Sequence, residues 1–529
     1  MNKLARSEFL AAAALAVVAV TASAPLSFGA DPIVVRPGTM PRIGAVDARF
    51  QSFNVEMVEV TGGRFWAPYG KSSAAPEAAP GAKLATPGID PAAFRMRTPI
   101  DLANSRLRKL ASALGPAYMR VSGTWANSTY FHDSDDPAPA TAPAGFGGVL
   151  TRRQWRGVVE FSSAVNAKIV TSFAISGGVR DTAGVWTPDQ ARKLLAFTKT
   201  LGGSIAAAEF FNEPTLAAMG GAPKGYDAAA YGRDFRVFLP FAKKVAPEML
   251  ILGPGSVGEA ASMGQGVMSA LKTEDMLTAT GRGVDAFSYH FYGATSKRCA
   301  PMGAIQTTPE AALSEEWLSR TDRDEAFYAS LRDRFEPGKP LWLTETAETA
   351  CGGNPWASSF IDSFRYLDQL GRLAKRGVQV VAHNTLAASD YGLIDEATLT
   401  PRPNYWSALL WHKFMGTTVL DAGPSPTAGV TLYAHCLPGR PGGVTLLAIN
   451  TDRAVLHDLT TSLPSDGYTL DAKDLLGASV NLNGSELKLG AGDAMPALTG
   501  APIRAGLVTL APASITFLAF PNAGNASCQ

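Results

Sequence analysis

Eight short apolar runs alternate with amphipathic stretches between residues 49 and 414. The runs cover 49–57, 117–122, 168–175, 205–211, 249–253, 284–292, 340–345 and 378–386. Between them, stretches such as 101–114, 188–201 and 355–375 place apolar residues three and four apart, the spacing of a helix buried on one face. Several runs are continuously apolar, as strands covered on both faces require. Strand alternating with helix implies parallel strands joined by right-handed crossovers. Eight such repeats predict a closed (β/α)8 TIM barrel, an α/β fold, rather than an open sheet.

Residues 415–529 read differently. The runs 417–420, 429–435, 443–449, 468–471, 479–482 and 514–520 are short, rich in β-branched residues and separated by Gly, Pro, Asn and Asp. This pattern predicts a C-terminal antiparallel β-sandwich. Residues 31–48 are extended and Pro-containing, and are expected to add a strand to that sandwich. The barrel is then assigned to 49–414. Two long loops, 61–97 with Phe65, Trp66 and Tyr69, and 133–148, fall on the active face of the barrel.

Residues 1–30 read as an export signal. Lys3 and Arg6 precede an apolar core at 9–20 that is too short to span a bilayer, and small residues follow through Ala30. The alternative is an uncleaved anchor. Export would expose the four cysteines to oxidation, and pairing Cys299 with Cys351 and Cys436 with Cys528 is expected from their regions of the chain. Neither cysteines nor histidines cluster with metal-ligand spacing, so neither metal nor cofactor is predicted. A net charge of +1 over 529 residues gives no field for nucleic acid or for an anionic membrane. Composition leaves the oligomeric state open.

In a barrel of this kind, polar residues at the C-terminal strand tips are the catalytic candidates. The fourth run leads into Asn212-Glu213-Pro214 and the seventh ends on Glu345. Two carboxylates on one rim are what a retaining glycosidase needs, one as proton donor and one as nucleophile. Glu213 is assigned as acid/base and Glu345 as nucleophile, with about 5–5.5 Å expected between them. The bland alternative for each is a salt-bridged strand end. Asn54, Gly123, Thr124, Asn212 and Asn384 are expected to meet sugar hydroxyls. His290 and Tyr292 are expected to touch a carboxylate or the substrate.

At these residues the chain resembles glycoside hydrolase family 79, the heparanase and β-glucuronidase group. The likeness rests on Pro116–Arg120 with Gly123-Thr124, Phe211–Pro214, His290–Tyr292, Trp342–Thr346, and Tyr391–Asp395 followed by Pro403–Trp406, all in family order. It implies a retaining β-glucuronidase-type hydrolase acting on a glucuronide or a glycan containing glucuronic acid. In that family a Tyr-Gly-Gly stretch holds the uronate carboxylate through backbone N–H groups. Here the corresponding stretch is Cys351-Gly352-Gly353, so the glycines are kept and the tyrosine is not. Gly352 and Gly353 are therefore substrate-binding candidates. The strand tips carry few basic residues, Lys297 and Arg298 excepted, which favours an unsulfated or exo-cleaved substrate over sulfated heparan. The short loop at 133–148 implies no activating cleavage. Two other readings stand beside this one: a related glycosidase acting on a xyloside, glucoside or arabinofuranoside, and a carbohydrate-binding barrel without catalysis.

Overall fold

The computed structural model describes residues 27–28, 33–70, 90–260, 271–302, 305–424 and 427–529. Most of the expected export segment lies outside the described residues.

Eight parallel strands close into a barrel: β1 (Gln51–Glu56), β2 (Ala117–Ser122), β3 (Ala167–Ser172), β4 (Ile205–Glu209), β5 (Leu250–Ser256), β6 (Ala286–Tyr292), β7 (Leu341–Ala347) and β8 (Val380–His383). β8 pairs back onto β1, Val381 opposite Gln51, which leaves no free edge. Each of the eight apolar runs supplies one of these strands. Helices cover the outside. The one after β2, Arg152–Ala164, starts where a capping box allows: Thr151 Oγ1 accepts from the Gln154 N–H, and Gln154 Oε1 accepts from the Thr151 N–H.

One end of the barrel interior is plugged by the residues that begin the strands. Tyr118, Val170, Ala207, Leu252, Ala286, Trp342 and Val380 form a closed apolar layer, with the Tyr118 and Trp342 rings 4.8 Å apart. The charged side chains Arg120, Glu209 and Glu345 lie beyond this layer, towards the end where the strands finish.

The C-terminal region forms two sheets. In the larger, Ser465–Asp471, Ser514–Phe520, Val444–Asn450, Val430–Cys436 and Thr418–Leu420 lie side by side, antiparallel, with Arg42–Ala45 at one edge. In the smaller, Val455–Thr461 lies between Gly506–Leu510 and Ile33–Val35. Val35, Leu432, Leu446, Leu459, Val508 and Leu518 fill the space between them. The N-terminal segment contributes not one strand but two, one to each sheet. Ile33–Val35 runs parallel to its partner, so the smaller sheet is not purely antiparallel.

Barrel and sandwich are joined at the helix Ile361–Lys375. Tyr433 OH donates to Asp368 Oδ1 over 2.6 Å, and Arg372 Nε donates to the other oxygen of the same carboxylate. Gly371 sits in the middle of that helix because a Cβ there would enter the Tyr433 ring. The disulfides are the expected pairs, Cys299–Cys351 and Cys436–Cys528. Among the described residues, no helix is long and apolar enough to cross a membrane.

Candidate active site

The strand ends converge on a cavity of about 150 Å³. Its centre is organised by Arg120, which projects from β2 and is fully buried. Nη1 donates to Glu345 Oε2 over 2.7 Å, while Nη2 donates to Glu209 Oε2 over 2.8 Å and to Asn212 Oδ1 over 2.7 Å. Burial alone would lower the guanidinium pKa. The charges of Glu209 and Glu345 more than reverse this, so Arg120 stays cationic.

Glu345, on β7, is held from two sides. Besides Arg120, Tyr292 OH donates to Oε1 over 2.7 Å, and Asn384 Nδ2 donates to the same phenol oxygen over 3.0 Å. Glu209 closes β4 and also accepts from Thr344 Oγ1 over 2.7 Å. Its burial would raise its pKa; Arg120 and His290 instead pull it well below the usual carboxylate range.

Glu213 lies four residues beyond the end of β4. Its backbone is left-handed (φ 50°, ψ 63°), an uncommon conformation for a residue with a Cβ and one that clusters at functional sites. Asn127 clamps the adjoining peptide: its Oδ1 accepts from the Asn212 N–H over 2.8 Å, and its Nδ2 donates to the Asn212 carbonyl over 2.9 Å. His290 Nδ1 lies 3.1 Å from Glu213 Oε1. Burial raises the Glu213 pKa, and the charge of Glu345 adds to this against the hydrogen bond from His290. Burial would lower the pKa of His290 itself. Glu345, with nearby Glu209 and the hydrogen-bonded Glu213, outweighs burial and Arg120 and lifts it to about 9. One oxygen of Glu213, one ring nitrogen of His290 and one oxygen of Glu345 lie within 4.8 Å of one another.

A third carboxyl reaches the cavity. Glu56, the last residue of β1, is pushed well above the ordinary carboxylate range, first by burial and then by Glu345. Gly123 (φ 91°) has no side chain because a Cβ there would overlap the Glu56 carboxylate. Sequence reading passes over Glu56 and Arg120 as site residues. A charge inside or ending an otherwise apolar run is the signal that marks both.

The structure brings Glu213, Glu345, Asn212, Tyr292, Thr124 and Asn384 to the cavity wall, with His290 directly beneath. Three expectations shift. Asn54 does not line the cavity; its Nδ2 donates to the Thr344 carbonyl inside the barrel, because it sits two residues short of the strand tip. Gly123 makes room for Glu56 and does not itself line the wall. Gly352 and Gly353 lie behind Cys351, which does. The N–H groups of Cys351, Gly352 and Gly353 donate to no group of the described residues. Trp66, stacked on Phe94 at 4.4 Å, supplies an aromatic wall. The two rings face each other across the antiparallel pair Gly63–Trp66 and Phe94–Arg97, so the ends of the long first loop form a hairpin.

Residues 96–371 match the model for glycosyl hydrolase family 79, N-terminal domain. The chain belongs to glycosyl hydrolase family 79. It is 28% identical over 379 residues to heparanase-like protein 1 of Arabidopsis thaliana, covering 69% of this chain and 67% of that one. It is 27% identical over 492 residues to heparanase of Mus musculus, covering 81% and 88%. It is 26% identical over 486 residues to a hyaluronoglucuronidase of Hirudo nipponia, covering 81% and 92%. A 4-O-α-L-rhamnosyl-β-D-glucuronidase from Fusarium oxysporum shares the fold with a TM-score of 0.61 at 14% identity, over 92% of this chain and all of that one. Membership of family 79 makes the protein a retaining glycosidase with a glycan substrate.

Proposed function

We propose that this family 79 glycosidase is an exported β-glucuronidase-type enzyme that works by double displacement on Glu213 and Glu345. The observation that carries the mechanism is the approach of their oxygens to within 4.8 Å. Retaining enzymes hold their carboxyl groups about 5–5.5 Å apart, whereas inverting enzymes leave about 6.5–9.5 Å for a water.

The roles follow from the surroundings. Glu213, with its raised pKa, keeps its proton and gives it to the glycosidic oxygen as the bond to C1 breaks. Glu345 attacks C1 from the opposite face, and its own charge is lost into the new ester bond. Arg120 and Tyr292 orient its two oxygens for this attack. With that charge gone, one of the causes raising the Glu213 pKa disappears. Glu213 then takes a proton from water, which attacks C1 and releases Glu345. Asn212, held by Arg120 and Asn127, is placed to bond the hydroxyl beside C1. The neutral Glu56 carboxyl offers an O–H or a carbonyl oxygen to a further hydroxyl.

The uronate reading is supported by the amides of Cys351, Gly352 and Gly353 beside the cavity, which have no acceptor among the described residues. Buried N–H groups almost always find an acceptor, and successive amides form a nest for an anion. A neutral sugar is the second reading. It is favoured by the lining of the cavity, which among the described residues holds no Lys, Arg or His, a composition that also suits an unsulfated glycan better than a sulfated one. Export is supported by residues 1–30 and by the two disulfides, which suit an oxidising compartment. Hydrolysis of 4-nitrophenyl β-glucuronide, β-glucoside, β-xyloside and α-arabinofuranoside separates the readings. Turnover of the glucuronide is expected; turnover of a neutral sugar alone would remove the uronate assignment.

A further inference from the structure

The wall beside these three amides is built in a particular way. Cys351, Gly352 and Gly353 all have positive φ, 64°, 82° and 81°. Glycine adopts this region freely, whereas a cysteine must be held there. The carbonyls of the loop are tied back. Ser296 Oγ donates to the Cys351 carbonyl over 3.0 Å, and Ser389 Oγ and the Asp390 N–H donate to that of Gly352 over 2.9 and 3.2 Å. With the carbonyls engaged, the N–H groups find no acceptor among the described residues. One covalent tie completes the set: Cys299–Cys351 joins the loop after β6 to the loop after β7. The residue beside Cys299 extends the bracing. Arg298 donates to Tyr69 OH over 3.0 Å, to the Ala67 carbonyl over 2.9 Å and to Asp390 Oδ2 over 2.9 Å. One short segment thus fixes both the amide loop and the end of the hairpin that carries Trp66.

We propose that the Cys299–Cys351 disulfide is a positioning element that determines specificity for an acidic sugar. It holds Cys351 in its left-handed conformation and so fixes the course of the amide loop at the cavity wall, where the Cys351 N–H, backed by those of Gly352 and Gly353, meets a carboxylate of the substrate. This rests on the uronate reading above. When the bond is broken, Cys351 relaxes towards negative φ, the peptide between residues 351 and 352 turns, and the carboxylate loses donors. Binding of that carboxylate is the same in the ground state and the transition state, so the loss falls on KM and not on kcat.

The test compares the full-length wild type with Cys299→Ala/Cys351→Ala on 4-nitrophenyl β-glucuronide and on 4-nitrophenyl β-xyloside, which lacks any group on C5. KM for the glucuronide is expected to rise about tenfold, equivalent to about 1.4 kcal/mol, with kcat nearly unchanged. The xyloside, which has no carboxylate to lose, is expected to be affected much less, so selectivity for the glucuronide falls. Cys299→Ala/Cys351→Gly is expected to recover part of the loss, because glycine tolerates positive φ. Cys436→Ala/Cys528→Ala, which breaks the sandwich disulfide, is expected to leave both KM values alone. Should the first variant fail to fold, dithiothreitol reduction of the folded wild type, with alkylation mapped by mass spectrometry, gives the same comparison. Unchanged selectivity after the bond is broken would overturn the proposal, as would equal losses on both sugars. A wild type that ignores the glucuronide and cleaves a neutral sugar would remove the uronate reading and this inference together. A wild type that cleaves the glucuronide, with variants that match it, would remove the inference alone.

Discussion

Arg120 Nη1 donates to Glu345 Oε2 over 2.7 Å, across 225 residues of sequence. The same guanidinium holds Glu209 and Asn212, so a single cation links the strand of the proposed nucleophile to the strand that leads to the proposed acid/base. Arg120→Met would leave Glu209 buried and without its cation. Removing one partner of a buried pair costs about 3–5 kcal/mol. The variant is expected to lose that much in chemical denaturation and to lose nearly all turnover. A variant of wild-type stability would show that the pairing is not as tight as the geometry indicates.

Glu213 must be protonated to assist departure of the aglycone. Glu213→Gln is expected to cost about 10²–10⁴-fold in kcat on substrates with poor leaving groups, and far less on activated aryl glycosides that need no proton. The folded pKa of Glu213 is raised, so wild-type kcat/KM falls as pH rises through it. The variant is expected to lose this basic limb on activated substrates. Equal losses on both classes of substrate, measured by steady-state kinetics, would argue against the acid role.

Gly123 is expected to admit no side chain. Gly123→Ala meets the Glu56 carboxylate at a residue that already has positive φ, and overpacking of this kind costs about 1–3 kcal/mol. Adding Glu56→Ala should recover part of the thermal stability but not the activity. A double variant that melts no higher than Gly123→Ala would place the strain elsewhere.

Stability is expected to fall on the acid side through His383. Burial, with the charge of Arg365, lowers its pKa from 6.5 to about 3. A base with a lowered folded pKa contributes stability that is complete above its unfolded pKa and is lost as pH falls towards the folded one. Between pH 6 and 4 the unfolded chain takes up a proton that the folded chain refuses, at about 1.4 kcal/mol per pH unit. Urea midpoints measured across this range should slope accordingly, and His383→Asn should flatten the slope by one proton's worth. An unaltered slope would mean that His383 is solvated.

Much of this arrangement was legible in the sequence, because barrel strands are apolar on both faces and each of the eight runs stands out against polar helices. The sandwich was harder. Val455–Thr461 carries His457 and Asp458 and alternates between buried and half-buried positions, so it lacks the apolar density of a recognisable strand. The split of the N-terminal segment between two sheets depends on pairings more than 370 residues away, which no local pattern encodes. In the site, the two glutamates were visible as polar tips on apolar runs. The network between them was not. Arg120, Glu209 and His290 come from β2, β4 and β6, alternate strands of the kind that share a layer of a barrel interior. Such a layer follows from closure, not from neighbours in sequence. Asn54 shows the converse: the right residue type near a strand tip, but two residues too deep to reach the cavity.

The most direct test of the double-displacement account is to trap the covalent intermediate. A 2-deoxy-2-fluoro-β-glucuronide with an activated leaving group should accumulate on the enzyme, and peptide mass spectrometry should place the added sugar on Glu345. Labelling of Glu213 or Glu56, or turnover that gives inverted product with no adduct, would contradict it.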